Sequence, residues 1–88
     1  MAVPHKIENR IWKHRIAKGL KQSQLAFLIG QKNSSQISRY ERGLAIPHLE
    51  QLVKLCYGLE VGIGSLYPQL ISRWQGEVDN GKDRLRDS

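Results

Sequence analysis

Cysteine is almost missing from this chain: Cys56 stands alone among 88 residues. One thiol closes no internal disulfide, and the three histidines, His5, His14 and His48, are too scattered to complete a metal site around it. Apolar runs long enough to span a bilayer are also absent, as is the hydrophobic segment of a secretory signal. The expectation is a protein of the reducing cytoplasm with no membrane partner. Catalytic constellations are missing too. No serine–histidine–aspartate set, carboxylate pair or metal-ligand spacing stands out, and the glycines at 62 and 64 are too close together for a phosphate-binding loop. The chain is therefore not expected to be an enzyme or to carry a cofactor. Acidic residues are few, eight against fourteen lysines and arginines, for a net charge of +6.

That charge is uneven. Residues 1–75 hold eleven basic and four acidic side chains, and residues 76–88 hold three basic and four acidic. The basic excess belongs to the part that can fold, which is where a phosphate-binding surface needs it. The length suits one small domain with short ends, too small for a separate catalytic or ligand-binding domain. Domains of this size bury a limited core and commonly gain stability by pairing.

The chain is organised around residues 22–43, QSQLAFLIGQKNSSQISRYERG. Two short amphipathic segments flank a turn at 30–33. In the second, Ser34, Ser35, Ser38, Arg39 and Arg42 recur at i, i+1, i+4, i+5 and i+8, one side of a helix of 3.6 residues per turn. Ile37, Tyr40, Glu41 and Leu44 fall on the other side. A helix that buries one stripe and presents hydroxyls and guanidinium groups on the other has the chemistry to lie in a DNA major groove.

Arg15, Gly19, Leu20, Gln22, Leu25, Ala26, Gly30, Ile37, Ser38, Glu41 and Gly43 together resemble the pattern of the lambda-repressor-like helix-turn-helix family, the Cro, phage-repressor and xenobiotic-response-element class of regulators. The resemblance spans about residues 7–67, and the turn is one residue longer than the commonest form. It implies an all-α, five-helix DNA-binding domain with the helix-turn-helix at helices 2 and 3, followed by a short C-terminal segment. It implies base contacts from Ser34, Ser35, Ser38 and Arg39. Arg39 is the strongest discriminator, because a guanidinium bonds bidentately to guanine. Phosphate contacts are implied for Gln22, Lys21, Lys32, Asn33 and Arg42. An ion pair between Arg15 and Glu41 is implied as the tie between helix 1 and the end of helix 3. A planar guanidinium fork meeting a carboxylate satisfies both charges.

The expected organisation is an N-terminal arm at 1–6, the DNA-binding domain at 7–68, a short helix at 69–75 and a disordered tail at 76–88. Helix 1 is expected from residue 7 or 9 to Lys18, with Ile7, Ile11 and Ala17 facing the core. Trp12 and Ile16 share a face, and Ile71 and Trp74 are expected to fold over it. Leu25, Leu28 and Ile29 form the stripe of helix 2. Asn33 is expected to cap helix 3. Helix 4 is expected over 48–57 with Leu49, Leu52, Val53 and Cys56 inward, Leu55 and Leu59 at the margin, and Gly58 as its stop. Pro68 suits the first position of the last helix. The function expected is a sequence-specific regulator of transcription, a repressor acting by operator occupancy, with double-stranded DNA and a second copy of the chain as partners. The alternatives are the antitoxin of a toxin–antitoxin pair, which adds a second protein as partner, and a protein-interaction adaptor with the same fold.

Overall fold

The structure, a computed structural model, describes residues 6–87. The arm expected at 1–6 lies outside them except for Lys6. Six helices follow one another: α1 (Ile11–Ala17), α2 (Gln22–Leu28), α3 (Ser35–Glu41), α4 (Leu49–Leu59), α5 (Ile63–Leu66) and α6 (Pro68–Asp87). The described residues contain no strand.

The core is a single cluster. Ile11, Leu25, Ile29, Ile37, Leu55, Leu59 and Leu66 are fully buried, and Ala26, Tyr40 and Tyr67 complete it. Each helix of the first five therefore contributes at least one side chain. Small helices like these are marginal alone, so their order comes from this shared burial. Burial pushes the Tyr67 phenol up to about 12, with Tyr40 adding to the effect. It also raises the Cys56 thiol, which is half-buried on α4 and packs against the core.

Helix α1 starts later than its periodicity suggests. Asn9 stops the helix from extending backward: its Oδ1 accepts the Ile11 amide at 3.1 Å. Ile7 precedes it in an extended segment, donating its amide to Gly43 O at 2.9 Å. Ala17 is exposed rather than inward, because the α1 face turned to the core is set by Ile11 and Arg15.

Helix α4 is rotated from the expected orientation. Leu55 and Leu59 are its buried residues, Leu52 and Cys56 are at the margin, and Leu49 and Val53 are 76% and 46% exposed. Apolar residues surround most of this helix, so periodicity leaves its rotation open, and packing against α2 and α5 chooses the side. The helix also runs through Gly58 and ends at Glu60, which takes the left-handed conformation (φ 57°). The Glu60 carboxylate meets Lys18, which lowers its pKa.

Leu28, Trp12 and Ile16, expected to be covered, are exposed. Leu28 lies 52% exposed, outside the α2 stripe of Leu25, Ala26 and Ile29. Trp12 and Ile16 are 59% and 50% exposed, and the C-terminal segment does not cover them. Leu70 and Ile71 pack against the core instead.

The last helix does not stop near residue 75, nor is 76–87 disordered. With Pro68 as its first residue, α6 continues to Asp87. Residues 72–87 are all exposed.

Gly43 closes α3 with φ +74°, and a Cβ there would sit 2.5 Å from Ile7 O and 2.7 Å from Ile7 N. Neither atom can move without breaking the strand-like contact that holds the N-terminal segment. At Gly58 a Cβ would make only ordinary contacts, with Leu25 Cδ1 at 3.7 Å and Leu28 Cδ1 at 3.9 Å. Gly43→Ala should therefore destabilise the domain by more than about 2 kcal/mol, through strain added to a backbone clash. Gly58→Ala should stabilise it by about 0.5–1 kcal/mol as an ordinary helix substitution. Urea denaturation of the two variants checks the pair, and equal effects would refute this reading of the turn.

Candidate nucleic-acid interface

The interface is built from the ends of α2 and α3. Helix α2 opens at Lys21, whose backbone amide is accepted by Gln24 Oε1 at 2.8 Å. This is half a capping box; the other half is closed to lysine, whose ammonium has no acceptor. The Lys21 side chain is thereby left exposed to solvent. Gly30 ends α2 with φ +78°. Residues 31–34 then turn the chain into α3, and Asn33 Oδ1 accepts the Ser35 amide at 2.9 Å. That is the cap expected of Asn33, with Ser34 as the residue at the helix boundary.

Helix α3 buries Ile37 and Tyr40, as the period requires. Leu44, expected on the same side, is 41% exposed because it follows the Gly43 turn and leaves the helix axis. On the outer side Ser35, Gln36, Arg39 and Arg42 are exposed, and Ser34 and Ser38 are half-buried. Lys32 and Asn33 are exposed just ahead of them. An open polar concavity of about 530 Å³, lined by Gly30, Gln31, Lys32, Asn33, Ser35 and Gln36, lies at this end of the helix.

The charges on this side are unneutralised. Among the described residues the ion pairs are Arg15–Glu41, Lys18–Glu60, Lys54–Glu50 and Arg86–Asp83. Lys21, Lys32, Arg39 and Arg42 belong to none of them. Arg42 Nε reaches only its own helix, donating to Ser38 O at 3.4 Å. Four cations without carboxylate partners, Lys21 opening α2, Lys32 ahead of α3, Arg39 on it and Arg42 at its C-terminal end, form an anion-facing surface.

Behind the surface lies a polar brace. Arg15 Nε donates to Glu41 Oε2 at 2.5 Å, and its Nη2 to Glu41 Oε1 at 3.1 Å. Arg15 Nη1 donates to Leu20 O at 2.8 Å. Both side chains of the pair are more than nine-tenths buried. The carboxylate takes a third bond from Gln22 Nε2 at 3.0 Å. The carboxylate thus ties α1, α2 and α3 together, and Arg15 adds the α1–α2 turn through Leu20 O. Gln22 is turned inward to this brace, which leaves its second amide hydrogen as the side-chain donor it can still offer a phosphate.

Two bracing residues escaped the sequence reading. Asn9 Nδ2 donates to Tyr40 O at 2.9 Å and Glu41 O at 3.3 Å, closing the carbonyl end of α3 from across the domain. The signal was an asparagine two residues ahead of an apolar period, which also suits a helix start. Gln51 Oε1 on α4 accepts from Gln31 Nε2 at 2.8 Å, holding the turn from behind. Nothing local marks Gln51, because its partner lies 20 residues away.

A short helix packed across a second, with its outer face cationic and its inner face locked by a buried ion pair, is the geometry of a helix-turn-helix DNA-binding domain. Residues 13–66 match the helix-turn-helix family, and the chain belongs to it, in its lambda-repressor-like branch. The chain is also similar to the restriction-modification controller protein C.AhdI from Aeromonas hydrophila. Identity is 38% and the TM-score 0.55, over 60% of this chain and 79% of that one. No curated protein matches it. The protein is a DNA-binding transcriptional regulator. No helix among the described residues is long and apolar enough to cross a membrane.

Proposed function

We propose that the protein is a sequence-specific regulator that acts by occupying an operator, as a repressor, with α3 in the major groove. The observation that carries this reading is the exposed row of Ser35, Arg39 and Arg42 on a helix whose opposite face is buried and braced. In this reading Ser34, Ser35, Ser38 and Arg39 meet base edges. Arg39 selects, because its fork matches the two acceptors of guanine, and the serines contribute short or water-bridged contacts. Lys21, Lys32, Asn33, Arg42 and Gln22 meet phosphate and set register without reading sequence. Asn33 keeps its amide NH₂ for this while its oxygen caps α3. One module covers a small footprint, so two copies bind a two-fold repeat. The similarity to a restriction-modification controller supports a regulator of that kind.

Selection from a randomised duplex pool at near-physiological salt tests the reading. Enrichment of an inverted repeat is expected. Binding that enriches nothing and vanishes as salt rises would reduce the protein to a non-specific cation and refute it.

A second reading adds a partner protein, as in the antitoxin of a toxin–antitoxin pair. The exposure of both Trp12 and Ile16 on one α1 face favours it. Co-purification of a protein that Trp12→Ser releases would establish this reading.

A further inference from the structure

Beyond its first turn α6 is held only loosely by the domain, through Arg73 and Trp74, which line one groove with Ile7 and Ile46. None of its residues is buried, and 72–87 are exposed throughout. It contains Gly76 and Gly81, both unfavourable in a helix interior, and a lone helix of this length is marginal in water. Yet Trp74, Val78, Gly81 and Leu85, in line with the core-packed Ile71, recur at alternating spacings of three and four, the repeat of a coiled-coil seam. Trp74 is 42% exposed and Val78 57%, and Leu85 continues the line. The salt bridge from Asp83 to Arg86 lies away from it.

We propose that this seam pairs two copies of the chain through antiparallel α6 helices, which rests on the dimeric reading above and gives it a surface. Side-chain size sets the direction. Antiparallel packing places Trp74 against the second copy's Leu85 and Val78 against its Gly81, so each layer joins a larger residue to a smaller one. Parallel packing would stack tryptophan on tryptophan and leave two glycines facing a gap. Charge agrees: Glu77 and Arg84 occupy the same edge of the seam, so the antiparallel pair brings each Glu77 beside the other copy's Arg84, twice over. With a rise of 1.5 Å per residue, the two Pro68 residues then stand about 34 Å apart along the helices. That is close to the separation of half-sites one DNA turn apart, about 34–36 Å.

Sedimentation equilibrium on the full chain tests the seam. Val78→Glu should raise the dimer dissociation constant by about 100-fold, because it places an unpaired charge in each inner layer. It should also lower helical circular dichroism as α6 frays, and leave binding to a duplex with one half-site unchanged. Glu77→Arg and Arg84→Glu should each weaken pairing by about tenfold, and the double variant should restore it. A dimer that survives Val78→Glu would overturn the α6 seam while leaving the dimeric regulator intact, paired through another surface. A wild-type chain that stays monomeric would overturn both. Rescue of Glu77→Lys by Lys82→Glu in place of the Glu77–Arg84 exchange would make the helices parallel and overturn the register.

Discussion

Arg15→Ala is expected to lower folding stability by about 3–5 kcal/mol, the usual loss when one partner of a buried pair is removed. The reason is what would remain. Glu41 would lose its cation in a site where its side chain is only 6% exposed, with Gln22 as its one remaining side-chain hydrogen-bond donor. Leu20 O would also lose its donor. For a domain of this size each kcal/mol lowers the melting temperature by about 4–8 °C, so a fall of more than about 12 °C should be seen. The double variant Arg15→Met with Glu41→Leu should recover much of the loss, because it strands no charge. Thermal and urea unfolding of the three chains measures this. A single variant that loses less than about 1 kcal/mol would place the pair with surface bridges, which contribute about that little.

Arg39→Ala should change which sequences are bound more than how tightly DNA in general is bound. At the base pair it reads, loss of a bidentate contact is worth about 1–3 kcal/mol of discrimination. Preference there should flatten while binding to random duplex falls only slightly. Lys32→Ala should behave oppositely, weakening all duplexes alike and reducing the salt slope by about 1. Anisotropy titrations of the selected duplex and a scrambled one across a salt series separate the two. If Arg39→Ala kept the original preference, then Gln36, exposed one turn away, would become the reader, and the register assigned to α3 would be wrong.

Gln22 shows how a residue's place can be legible while its partner is not. Its position at the start of α2 follows from the chain pattern. That its amide turns inward to Glu41 depends on how α2 crosses α3. Asn9 is similar: its local bond to the Ile11 amide is a nearest-neighbour matter, but its bonds to Tyr40 and Glu41 carbonyls span some thirty residues. The unpartnered cations Lys21, Lys32, Arg39 and Arg42 were identifiable as a group, because surface charges next to a short amphipathic helix need no tertiary detail to remain exposed.

The helix-turn-helix is written locally in the chain. Glycines with positive φ at 30 and 43 end α2 and α3, Ile37 and Tyr40 set the inward face of α3, and Arg15 and Glu41 are the complementary charges that lock it. These are local signals: backbone sterics, a 3.6-residue period, and a charge pair of matching shape. Packing between distant segments set which side of α4 is inside and left Trp12 and Ile16 in solvent, and only in the folded chain is α6 seen to run on to Asp87. Those outcomes depend on which neighbour covers a given apolar face. A period can say that a helix has such a face, and only the packing of the rest of the chain says whether anything lies against it.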